Sequence, residues 1–343
     1  MFSGAGLAPT IGRAAAEGFQ AVRFARELLQ LPIRFDADAL ADEVGRLPRS
    51  AWVPHPMGFP GNDAVPLISV GGGLNDEFAG PMAATEYLAH LPYVQSLMAE
   101  LGGVWGRSRL MGLGPGAVVP KHVDIHYYWR THIRIHVPVV TNTGVRFRCG
   151  GEDVHMEPGE AWVFDSFRLH EVRNEGSEKR VHLVLDTVGS SRIWELIRSA
   201  NVGAPIPGEP WKPAKPGAGQ KLRFERLNQP TVMSSWEMRC HVGYLLDNVI
   251  AAPDPALLDA IDHFLFSWHA ACSEHGEDEA GSEGYRSLIQ SVREQMMRLG
   301  ANKVMLNNEA SLYRALDALV FSRALAPSKP QEPAALPPNP KAA

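Results

Sequence analysis

The chain has 343 residues, with 45% hydrophobic and 21% charged residues, which suits a soluble globular protein of two domains or one large domain with additions. A net charge of −5 argues against a general nucleic-acid binder, and no run of about 18 apolar residues is present to span a membrane. Three scattered cysteines (Cys149, Cys240, Cys272) describe neither a disulfide framework nor a thiolate zinc site, and early charges such as Arg13 and Glu17 break up any signal-peptide core, so a cytoplasmic location is expected.

In chain order, residues 1–34 are expected to form an N-terminal helical segment, with Ala16, Phe19, Val22, Phe24 and Leu28 along an amphipathic helix over 12–30. Further helices are predicted over 37–47 and 83–102, with a short strand near Pro66–Val70 between Pro/Gly-rich stretches. From 104 to 188 the pattern changes. β-rich runs at 107–113, 117–121, 131–140, 144–149, 160–165, 168–174 and 180–187 recur about every ten residues, separated by turn signals such as Gly114-Pro115-Gly116 and Pro158-Gly159. Such spacing predicts a β-sandwich or barrel, of which the jelly roll is the form with two facing sheets and a cavity at one mouth.

Residues 204–220 hold five prolines and read as a stiff linker and domain boundary. A helical C-terminal domain follows over 221–326, with helices expected at 233–251, 256–274, 283–299 and 309–325 and with Trp236, Phe264, Phe266, Trp268 and Tyr313 in its core. Asp254-Pro255 supplies an N-cap and a first-turn proline. The Pro-rich tail, 327–343, is expected to be disordered. The helical domain is a candidate lid, homodimer interface or peptide-binding module.

The chemical signal is histidine density: seven of thirteen histidines lie between 122 and 182. In an extended segment His122 and Asp124 share a face, because alternate strand side chains point the same way. With His170 from a later strand they make two histidines and one carboxylate, the facial set of non-haem Fe(II) oxygenases, which leaves room for a 2-oxo acid and O2. The competing reading pairs His122 with His126, or His132 with His136, as helical zinc ligands. The β-branched run Ile133, Ile135, Val137, Val139, Val140 with Pro138 argues against helix there. Arg180, on the alternating strand 180–187, can bind the free carboxylate of a 2-oxo diacid through two parallel hydrogen bonds. His132, Arg134 and His136 alternate onto one face, either into a barrel holding a charged ligand or toward solvent. Asp165 and Asn174 are candidate supports for the histidines or turn formers. His126, Tyr127, Tyr128 and Trp129 form a lid or a packed loop.

Five segments in order, FDADALADEVGRLPRSAW (35–52), RLMGLGPGAVVPKHVD (109–124), RIHVPVVTNTGVRF (134–147), MEPGEAWVFDSFRLHEVRN (156–174) and RVHLVLD (180–186), resemble the aspartyl/asparaginyl β-hydroxylase family, which includes bacterial proline hydroxylases. The resemblance implies a double-stranded β-helix (jelly-roll) oxygenase domain over 35–203, mainly β and flanked by helices, using Fe(II) and 2-oxoglutarate. By position, His122, Asp124 and His170 match the iron ligands, Arg180 the 2-oxoglutarate anchor, and Arg134 and His136 a segment contacting substrate or co-substrate. Animal members carry Gly where this chain has Asp124, so the chain is closer to the bacterial branch. The expected function is hydroxylation of an unactivated C–H bond in an amino-acid-like small molecule. Hydroxylation of Asp, Asn or other side chains in a peptide or protein is the alternative, and a non-catalytic cupin-like metal-binding protein the rival. Arg146 and Arg148 are further candidates for an anionic substrate.

Overall fold

The alternation between 104 and 188 emerges as two facing antiparallel sheets. The computed structural model describes residues 24–55, 58–215, 221–278 and 281–326. They divide into two units, Phe24–Asp124 with Tyr128–Gln229, and Ile125–Tyr127 with Pro230–Ala326.

The first unit contains β1 (Leu28–Arg34), β2 (Val53–Pro54), β3 (Asn62–Val70), β4 (Met82–Ala84), β5 (Val104–Leu113), β6 (Val118–His122), β7 (Ile133–Val140), β8 (Val145–Cys149), β9 (Glu152–Val154), β10 (Glu160–Phe164), β11 (His170–Asn174), β12 (Arg180–Thr187) and β13 (Arg223–Phe224). Its helices are α1 (Ala37–Gly45), α2 (Pro92–Leu101), most of the short α3 (Tyr127–Thr131) and α4 (Ser191–Asn201). The larger sheet runs β1-β10-β7-β12-β5-β3-β2, with β13 joining β5 and β4 joining β3; the smaller runs β6-β11-β8-β9. This is the expected mainly-β, jelly-roll architecture with flanking helices.

β12 is buried along its whole length because it pairs with β7 on one side and β5 on the other. Between the sheets, Leu28, Leu113, Phe147, Phe164 and Val172 form an apolar cluster. On β7 the apolar residues Ile135 and Val137 are fully buried on the outer face, where α1 packs. The inner face is therefore free to carry Arg134 and His136. Two helices start on side-chain caps: Asp36 accepts from the Ala39 amide and Ser190 from that of Ile193.

Several sequence expectations change. Residues 1–23 lie outside the described residues, and Leu28–Arg34 is not helix but an edge strand paired with β10, as Leu28↔Phe164 shows. A short apolar run is ambiguous between the two periods, and Pro32 is tolerated on an edge strand but not inside a helix. The helix expected over 83–102 splits into β4, a 3-10 turn (Glu86–His90) and α2, whose first residue is Pro92. The helix α4 went unread. The unit boundary falls after Gln229 and not within 204–220, because β13 and Glu225 return to pair with β5 and β4.

The second unit holds α5 (Ser235–Leu246), α6 (Pro255–His275), α7 (Ser282–Arg298) and α8 (Leu312–Leu316), followed by a π-turn (Asp317–Phe321) where one longer helix was expected. Asp254 caps α6 as read from the sequence. Phe264 and Trp268 lie on the buried stripe of α6, and the Trp268 indole donates to Met233 O. Trp236 and Phe266 are instead 53% and 57% exposed. Phe266 falls between positions of that stripe, under the Arg239 guanidinium. Among the described residues no helix is long and apolar enough to cross a membrane. The tail from Pro327 lies outside the described residues.

Phe147 sits between the sheets with 3% exposure. Phe147→Ala is expected to lower stability by about 3–5 kcal/mol through lost burial and a residual cavity, measured by urea unfolding.

Candidate metal and anion site

Antiparallel pairing of β6 with β11 sets His122 directly opposite His170, and their rings lie 4.1 Å apart. Asp124, two residues on, is held by its amide donating to Ser166 O, and its carboxylate comes 3.9 Å from His122 Nε2. One ligand atom from each of His122, Asp124 and His170 lies within 4.8 Å of the others. His122 ends strand β6 and His136 lies in strand β7, so neither belongs to a helical i,i+4 zinc pair.

Both histidines are oriented by backbone. His122 Nδ1 lies 2.8 Å from Pro120 O, and His170 Nδ1 lies 2.9 Å from Arg168 O. A carbonyl only accepts, so Nδ1 carries the hydrogen and the Nε2 lone pair is left for a metal. The supports considered in the sequence do other work. Asn174 Nδ2 donates to the carbonyls of Leu113, Gly114 and Glu178, and Asp165 receives the Phe167 amide and pairs with Arg168. Burial pushes the His170 imidazole down to about 4, so it is neutral and ligand-competent at neutral pH. Two imidazole nitrogens and one carboxylate fit a divalent iron with an open face.

Arg134 contacts this group directly. Its Nη1 donates to Asp124 Oδ2 at 3.2 Å and its Nε to Asp186 Oδ1 at 3.0 Å, under the ring of Trp129 at 3.8 Å. Its charge is thus already met by two carboxylates, one of them in the candidate metal group.

Arg180 is the opposite case. It is 3% exposed, burial alone pushes it down to about 9, and its Nε and Nη2 have no hydrogen-bond partner among the described residues. An uncompensated buried cation with idle donors costs several kcal/mol, and a carboxylate of a diacid relieves that cost. Beside it, His136 and His182 approach through their Nδ1 atoms at 3.4 Å, and both Nε2 atoms lack a partner among the described residues. Burial, then the adjacent guanidinium, holds both imidazoles well below the usual histidine range.

Two arginines went unnoticed in the sequence. Arg107 and Arg109 on β5 are 5% and 8% exposed. They share one carboxylate, Asp76, whose Oδ1 lies 2.6 Å from Arg109 Nη1 and 3.6 Å from Arg107 Nη1, and Arg107 Nε has no hydrogen-bond partner among the described residues. The signal was the period-two spacing R-x-R in a β-run, the same signal that singled out Arg134 and His136. Arg146 and Arg148, by contrast, belong to the outer face of β8, paired with Asp153, while Phe147 between them enters the core.

Residues 79–189 match the family model described as Aspartyl/Asparaginyl beta-hydroxylase. Among solved structures, a 2OG-Fe(II) oxygenase-family oxidoreductase from Burkholderia pseudomallei is 16% identical, covering 48% of this chain and 87% of its own, with a TM-score of 0.36. A prolyl-4-hydroxylase from Pseudomonas putida is 15% identical, covering 47% and 91%, with a TM-score of 0.31. No curated protein matches the chain.

His170→Ala and Asp124→Ala are each expected to weaken Mn(II) binding by about 100-fold or more, beyond the 10- to 100-fold typical of losing a ligand's supporting group, measured by calorimetry. A pH prediction follows from His136 and His182, whose folded pKa values lie below the unfolded 6.5. The unfolded chain binds protons first as pH drops, so stability present above 6.5 is lost as pH falls toward the folded values. The slope contributed is about 1.4 kcal/mol per pH unit for each proton taken up. Urea midpoints of the metal-free protein between pH 7 and 5 are expected to fall less steeply in His182→Phe.

Proposed function

We propose, on the premise that residues 79–189 belong to the aspartyl/asparaginyl β-hydroxylase family of 2-oxoglutarate-dependent hydroxylases, that this chain hydroxylates an unactivated C–H bond of a small, amino-acid-like molecule bearing a carboxylate. The observation that carries the reading is the buried Arg180 with idle donors, in the same barrel as the His122–Asp124–His170 group. A metal-binding protein without a 2-oxo acid has no use for an uncompensated guanidinium at that depth.

Bound iron and 2-oxoglutarate together supply the oxidising power, with O2 as the oxidant and succinate and CO2 as by-products. The side chains do the rest. His122, Asp124 and His170 hold the metal on one face. Arg180 takes the far carboxylate of 2-oxoglutarate, and neutral His136 and His182 offer ring nitrogens beside it without adding charge. Arg134 stays on Asp124 and fixes the direction of that carboxylate, with Asp186 behind it. Arg107 and Arg109, two guanidiniums sharing Asp76, receive the carboxylate of the substrate. Phe78 and Trp129, whose rings cover Arg107 at 4.0 and 5.2 Å, exclude water from that contact.

Succinate formation from 2-oxoglutarate with Fe(II) and ascorbate tests the reaction, and mass gain of one oxygen atom across the L-amino acids and an Asp/Asn-containing peptide tests the substrate. Product from the peptide alone would move the substrate to macromolecules. Arg180→Met is expected to raise the KM for 2-oxoglutarate about 100-fold, roughly 2.7 kcal/mol, with Mn(II) affinity unchanged. Absence of succinate under all conditions would leave the non-catalytic rival standing.

A further inference from the structure

Three aromatic rings converge on the inward arginines from two separate stretches of chain. Phe78 precedes β4, and its ring packs 5.0 Å from Tyr128 and 5.3 Å from Trp129. Tyr128 and Trp129 lie in α3, which has five residues. A helix this short is not held by its own propensity, so its neighbours must fix it.

The neighbour is a stretch well past the Pro-rich connector. Glu225, 4% exposed, receives His132 Nε2 at 2.9 Å. The other nitrogen of that ring, just past the end of α3, lies 2.7 Å from Tyr128 O, and the ring stacks on Tyr128 at 3.7 Å and 18°. Tyr128 Oη in turn accepts the Arg107 amide at 2.8 Å. Gly106 makes room for this stack: a Cβ there would sit 2.5 Å from Tyr128 Oη and 3.1 Å from His132. Three residues after Glu225, Asn228 Nδ2 donates to Phe78 O at 2.8 Å and Gly80 O at 3.0 Å, and its Oδ1 accepts the Gly80 amide at 2.8 Å. Asn228 Nδ2 also reaches Glu225 Oε2 at 3.3 Å.

We propose that residues 223–228 form a strap whose Glu225 and Asn228 position the aromatic wall over Arg107 and Arg134, making them positioning residues for substrate binding outside residues 79–189. Capping the edge of the larger sheet does not explain them. The backbone alone does that, through β13 on β5, Glu225 N donating to Trp105 O, and Met82 N donating to Glu225 O. A buried carboxylate is costly unless paired, and among the described residues the side-chain partners of Glu225 are His132 and Asn228, the two groups that hold the wall. One side chain sets the Tyr128–Trp129 half and the other the Phe78 half.

The substrate role rests on the function proposed above, but the positioning itself is measurable without turnover. Hydrogen exchange is read by mass spectrometry on the full chain with Mn(II) and 2-oxoglutarate. In Glu225→Ala the amides of residues 128–134 are expected to exchange about tenfold faster, with β8 and β11 unchanged. Glu225→Gln, which keeps an oxygen toward His132, is expected to recover part of the protection. For the amino acid that yields product in the panel, KM is expected to rise about tenfold while kcat and the KM for 2-oxoglutarate move less than about threefold. Unchanged exchange at 128–134 overturns the proposal, and so does a loss of protection spread over both sheets or a parallel rise in the KM for 2-oxoglutarate. Should Glu225→Ala not fold, the exchange of Glu225→Gln decides. A panel without product defeats the functional reading, and the exchange result still decides the strap.

Discussion

The register of β11 against β6 governs the chemistry of this barrel. Backbone hydrogen bonds set His170 opposite His122 on one edge of β11 and opposite Cys149 on the other. A slip of one residue would turn the imidazole of His170 out of the barrel, because side chains alternate with period two. The same hydrogen-bonded frame supplies the Pro120 and Arg168 carbonyls that fix both ring orientations. The spacing of the candidate ligands is thus a consequence of strand pairing, with little contributed by polar side chains behind the histidines.

Charge compensation separates the four inward arginines. Arg134 meets two carboxylates, Arg107 and Arg109 share one, and Arg180 meets none among the described residues. The gradient matters because Arg107, Arg109 and Arg180 are buried and Arg134 is largely so, and an unpaired charge is expensive there. Arg134 is part of the metal group's support. Arg180 keeps idle donors among the described residues, and neutral His136 and His182 beside it add no compensating charge.

The segment matching the family model, residues 79–189, does not contain everything that shapes the candidate site. Glu225 and Asn228 come from beyond it and hold Phe78, Tyr128 and His132. The helical unit has its own internal logic, with the Trp268 ring tilted against Tyr285 at 4.7 Å and Tyr127 donating to Glu237 at 2.6 Å. Residues 125–127 group with it although Asp124 and Tyr128 on either side group with the barrel.

Local patterns were enough to read the strands from 104 to 187 except the three-residue β9, with the His122-Val123-Asp124 pair and the inward Arg180, since each depends on alternation within a few residues. The same rule misled where a run was short or interrupted: Leu28–Arg34 looked helical, and Phe266 looked buried. Arg107 and Arg109 carried a readable spacing, yet nothing along the chain distinguished them from surface arginines until Asp76 and Phe78 closed over them. Partners far apart in sequence, such as His132 with Glu225 or Arg134 with Asp186, emerged only when folding brought their strands together. Hydrogen bonds and ion pairs act over a few ångströms of space, and that proximity is written in no local pattern.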